Sequence, residues 1–111
     1  DPRRARRLIA RRKAPLQLLT VDHFTGCVNE TFVAQLDDGT VDFQLVEARS
    51  LPARAPAGFR SPFSLLFRNT AAVVLPQQTY RMRHGRLGEV GIFLVPVAME
   101  RGGFLYQAVF G

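Results

Sequence analysis

The side chains able to do chemistry are few and scattered along the chain. Two histidines, His23 and His84, and one cysteine, Cys27, lie far apart without ligand spacing. A zinc centre takes three or four such groups, so no protein metal site is expected. His84 and Glu89 flank a turn and can be posed as an acid–base pair. The plainer reading, a surface histidine beside a loop, is preferred. Asp22-His23 beside a helix start reads as capping and packing. No phosphate-cradling glycine loop is present, and Ser50, Ser61 and Ser64 have no nucleophile-elbow surroundings. Cys27 has no cysteine to pair with in this chain and reads as a small buried hydrophobe. The expectation is no catalytic residue, no metal and no cofactor: a protein that binds rather than reacts.

The strongest feature is charge. Of fifteen basic residues, seven (Arg3, Arg4, Arg6, Arg7, Arg11, Arg12, Lys13) fall in the first thirteen positions, against one acid, Asp1. Positions 14–111 keep eight basic and eight acidic residues and are formally neutral. The chain therefore divides into a basic arm, 1–15, and one domain, 16–111. Asp1 and Pro2 form a helix-start signature, and Pro15 stops the helix. Ala5, Leu8 and Ile9 share one face at helical spacing. Arg3/Arg7 and Arg7/Arg11 repel, and the segment is short for an isolated helix, so it is expected to order only when docked.

The arm's arginines suit phosphate backbones or acidic protein surfaces. The arm has no aromatic residue for base stacking, and its small apolar face is poorly suited to membrane insertion. Arg3-Arg4 and Arg6-Arg7 bring an export signal to mind. The apolar stretch after them, Leu8 to Ala10, runs straight into Arg11-Arg12-Lys13, so that reading is rejected. Arg81, Arg83 and Arg86 read as a solvated basic stripe.

The elements that would position any site have a period of two. A helical turn is expected after Thr20 as N-cap, over Val21 to Phe24, with Gly26 as its stop. Strands are expected at 30–36, 41–48, 63–68, 77–83, 89–97 and 104–110, with Asp37-Asp38-Gly39 as a tight hairpin. Residues 49–62 carry three prolines and read as a long loop. Short turns between strands imply an all-β domain: a small antiparallel six-stranded β-barrel or a sandwich. The last two strands are apolar on both faces. Phe93, Val95, Leu105 and Val109 fall on the register opposite the expected core. Such a face must be covered, by the small helix, by the arm's Leu8/Ile9 face, or by another subunit.

Several stretches carry a family resemblance: DHFTGCVNETF (22–32), VDFQLVEARSLP (41–52), FSLLFR (63–68), LPQQTYRMRHGRLGE (75–89), IFLVPV (92–97) and YQAVF (106–110). Over residues 16–110 the body resembles a small bacterial and phage family of unknown activity, associated with tail-collar and tail-fibre-like genes. Asn69 stands where such sequences tend to have glycine, and Asn tolerates positive φ. The resemblance implies a structural component of a virion or tail-like particle, in a virion or the bacterial cytoplasm, and supplies no catalytic residues. The expected function is assembly with other protein subunits through the arm (Arg3, Arg4, Arg6, Arg7, Leu8, Ile9, Arg11, Arg12, Lys13) and the second apolar face. Nucleic-acid binding by the arm is the alternative.

Overall fold

The computed structural model describes residues 19–52 and 61–111. The basic arm and the middle of the proline-rich loop lie outside the described residues. Among the described residues one short helix, α1 (Val21–Thr25), precedes six strands: β1 (Thr31–Leu36), β2 (Gly39–Ser50), β3 (Phe63–Asn69), β4 (Gln78–His84), β5 (Gly88–Glu100) and β6 (Gly103–Phe110). All pairings are antiparallel, in the order β1-β2-β3-β6-β5-β4, with β4 returning to β1. The domain is thus one sheet closed into a ring, which leaves no long sheet edge exposed.

The alternation in sequence explains the core. Phe32 and Ala34 on β1, Phe43 and Leu45 on β2, Phe63, Leu65 and Phe67 on β3 point inward with Tyr80, Met82, Ile92, Leu94, Tyr106 and Ala108. Each follows the period of two, which puts alternate side chains on one face. Aromatic rings fill the centre: Phe43 meets Phe67 and Tyr106 edge-on, with centroids 6.2 and 5.2 Å apart.

Two β-bulges bend the sheet. The registers shift between Leu45 and Glu47 and between Pro96 and Ala98, leaving Val46 and Val97 as extra residues. A bulge adds local twist and curvature, as closure of a small ring requires. β5 is longer than its sequence pattern predicts, continuing to Glu100, where Arg101-Gly102 turns into β6 with Gly102 at φ 86. Gly103 is required by contact: a Cβ there would lie 2.3 Å from the Asn69 carbonyl oxygen.

Both ends of the ring are covered. At one end, the crossing from β3 to β4 places Leu75 N–H on the Tyr106 hydroxyl at 2.8 Å, while the Tyr80 hydroxyl donates to the Pro76 carbonyl. At the other, α1 inserts Phe24, which packs against Phe32, Phe63 and Phe110. The helix starts at Thr20, as its sequence implies, with His23 serving the cap: Thr20 N–H donates to His23 Nδ1 at 2.9 Å. The helix caps an end of the ring and leaves the outer face of β5 and β6 exposed at Phe93 and Val109. Asn69 does not use a positive φ; among the described non-glycine residues only Asn29 does, at φ 73. The Asn69 side chain instead ties β2 to the segment after β3, donating to Asp42 O and accepting from Ala71 N–H, both at 2.8 Å.

Candidate functional site

Closure of the ring brings together titratable residues that are distant in sequence. Cys27 and Glu30 lie between α1 and β1, His84 ends β4, and Arg86 sits in the β4–β5 turn. The expected pairing of His84 with Glu89 is not formed. Glu89 pairs with Arg81 across the strands at 3.1 Å, whereas His84 Nε2 lies 2.7 Å from Glu30 Oε1. Nor is His84 a surface residue: it is buried and its ring stacks on Phe32, centroids 4.6 Å apart. The basic stripe is also divided, because Arg86 turns into the cluster. Its Nη2 donates to Glu30 Oε1 at 2.8 Å and to the Gly26 carbonyl at 2.6 Å, and lies 3.6 Å from Cys27 Sγ.

The hydrogen bonds fix the histidine tautomer. The backbone N–H groups of Arg86 and Leu87 both point at His84 Nδ1, at 3.1 and 3.3 Å. Nδ1 therefore accepts, the ring proton sits on Nε2, and it is donated to Glu30. His84 and then Arg86 hold the Glu30 carboxyl below its ordinary range, and Glu30 in turn raises the Arg86 guanidinium. Burial pushes the Cys27 thiol up, although Arg86 opposes it. Cys27 thus behaves as the buried hydrophobe its sequence suggests, its Sγ 3.5 Å from the His23 carbonyl.

Cys27, Glu30 and His84 place one ligand atom each within 4.8 Å of one another, a spacing that could surround a metal ion. The chemistry of the donors is set against it. A histidine bound through Nε2 normally donates its Nδ1–H to an acceptor, whereas here Nδ1 faces two donors. A guanidinium also occupies the space, and burial raises the thiol, which disfavours the thiolate that a metal would need. The thiolate is not activated by the imidazole, because the basic nitrogen of His84 points into its own turn.

The cluster lies where the ring closes. β1 and β4 share only the pairs Val33–Arg83, Ala34–Met82 and Gln35–Arg81, the shortest seam of the sheet. Glu30, His84 and Arg86 continue that seam with side chains where the backbone ladder stops. Besides this cluster, a shallow cavity of about 170 Å³ lies on the seam, lined by Val33, Gln35, Thr40, Arg81, Met82, Arg83 and Glu89. It is smaller than the ~300–1,000 Å³ of a small-molecule site. A wider open groove of about 680 Å³ runs beside Asp37, Asp38, Leu75 and Pro76.

The chain belongs to the DUF6916 family. This domain of unknown function matches residues 19–110, nearly the whole body and none of the arm. No curated protein and no solved structure matches the chain.

Of the residues expected to contact a partner, Arg3, Arg4, Arg6, Arg7, Leu8, Ile9, Arg11, Arg12 and Lys13 lie outside the described residues. The four on the last strands share the outer face of the ring. Phe93 and Val109 are 50% and 62% exposed, and Val95 and Leu105 are half-buried beside them. The registers align Val95 with Gln107 and Leu66, and Val109 with Ser64. Leu66 thus extends the apolar surface onto β3, a residue the sequence pattern alone did not single out. Val97, extruded by the bulge, adds to it.

Proposed function

We propose that this DUF6916 domain is a non-enzymatic assembly module that docks onto other protein subunits through the outer apolar face of β5, β6 and β3. The observation that carries this reading is a large aromatic, Phe93, left half-exposed on the same outer face as Val95, Leu105 and Val109. The largest apolar patch on a soluble surface is often a functional one. The chemistry-bearing cluster supports the same view, since Glu30, His84 and Arg86 spend their polar atoms on one another and on the turn. The small barrel-like body is then a rigid mount, and the basic arm is a second contact for an acidic neighbouring surface. Membership of a phage-tail-like or virion particle is part of the proposal and rests on the resemblance of the body to tail-associated proteins.

Light scattering and electron microscopy of the full chain test the proposal. Assembled species are expected; Phe93→Glu should disperse them, and removal of residues 1–13 should reduce their size. A full chain that stays monomeric at high concentration, or variants that assemble unchanged, contradict it. The excess of positive charge in the arm supports a second reading, nucleic-acid binding. That reading expects affinity for any DNA that falls steeply with salt and is lost with the arm. No binding at low salt removes it.

A further inference from the structure

We infer that the partner on this face is a second copy of the same chain, packed about a two-fold axis that passes beside Gln107. This rests on the assembly reading and names the occupant of its contact surface.

Three properties of the patch point to self-pairing. The first is its plan. Gln107 lies at the centre, between Val95 on β5 and Leu66 on β3. Along β6 its same-face neighbours are Leu105 and Val109. Its side chain is half-buried, and it makes no hydrogen bond with any described residue. A carboxamide carries both donors and an acceptor, so two of them meeting across a two-fold axis satisfy each other. An isologous contact sets the same residues against each other at the axis, and a carboxamide suits that position.

The second is charge. The rim carries both signs on the same face: Glu47 and Arg49 on β2, and the Arg68–Glu100 ion pair, 3.0 Å apart, toward the other end. A surface of one sign would repel its own copy. A mixed rim around an apolar centre is self-complementary.

The third is area. Phe93, Val97, Val109 and the half-buried Val95, Leu105 and Leu66 together leave on the order of 400 Å² of apolar surface exposed. A standard interface covers about 800 Å² on each partner, with an apolar centre inside a polar rim. The patch supplies that centre, and the flanking charged strands supply the rim. A closed ring offers no long strand edge for pairing, so the contact must be face to face.

A charge-pair experiment on the full chain tests this, read by sedimentation velocity in high salt to suppress contacts of the arm. Wild type should sediment as a dimer. Gln107→Glu and Gln107→Lys should each weaken dimerisation by at least about tenfold, since each residue faces its own copy. An equimolar mixture should recover the dimer, because only the mixed pair brings opposite charges together. Circular dichroism checks that each variant keeps its fold, and Val109→Glu is a second disruption of the same face. A monomeric wild type, or single variants that dimerise like wild type, overturns the inference. If Val109→Glu dissolves the assembly but the mixture shows no recovery, the face is used against a different surface. That result overturns the two-fold contact and leaves the assembly reading standing. If Val109→Glu changes nothing, both fall.

Discussion

Replacing His84 with phenylalanine isolates the polar work of the Glu30–His84–Arg86 cluster, because a ring remains to stack on Phe32. Nδ1 is lost, and with it the acceptor for the N–H groups of Arg86 and Leu87 at 3.1 and 3.3 Å. A buried donor left without a partner costs about 1–3 kcal/mol. This turn is partly open to water, so the low end applies to each, and the pair together gives about 2 kcal/mol. Glu30 is reached by water and is re-solvated when its partner goes. For a domain of this size the loss corresponds to a fall of roughly 10 °C in the unfolding midpoint. Urea denaturation with an unchanged slope measures it, and amide exchange localises it: the Arg86 and Leu87 amides should lose protection. His84→Asn provides the control, since an Asn carbonyl oxygen can accept from the N–H two residues on. Those amides should regain protection even though the stacking on Phe32 is lost. If His84→Phe stays within about 0.5 kcal/mol of wild type with both amides protected, the reasoning about Nδ1 is wrong.

Three further outcomes follow from the same geometry. Hydrogen bonds from His84 and Arg86 depress the Glu30 carboxyl in the folded state, so its stabilisation is present above the ordinary carboxylate range and is lost as pH falls through the folded value. Glu30→Gln should flatten the acid limb of a stability–pH profile, and an unchanged limb counts against stabilisation by these hydrogen bonds. Zinc should leave the thermal midpoint unmoved, because binding at Nε2 would set two N–H donors against a protonated Nδ1; a rise that saturates with metal contradicts this. Gly103→Ala should destabilise the domain by about 1–3 kcal/mol, the cost of overpacking against the Asn69 carbonyl, read by chemical denaturation.

How much was legible in the sequence differs between fold and site. The strands could be read because one face of each is buried, so Phe43/Leu45 or Tyr80/Met82 alternate with polar neighbours. The same period carried on to His84, which marked it as inward-facing. Its position beside a turn suggested the surface instead, and the period was the better guide. The partner Glu30 could not be read, because it is 54 residues away and meets His84 only through the return of β4 to β1. Turn signals specify hairpins such as Asp37-Asp38, but they carry no information about which non-consecutive strands pair. The outer apolar face was visible at Phe93, Val95, Leu105 and Val109, where both registers of a strand are apolar. Leu66 joined it only through the β3–β6 pairing, again a matter of strand order.

The central claim is that the outer face of β5, β6 and β3 exists to be covered by protein. Sedimentation equilibrium of the full chain against its Val109→Glu variant tests it most directly. The expected result is an associating wild type and a monomeric variant whose circular dichroism spectrum matches that of the wild type. Equal masses for the two proteins would contradict it.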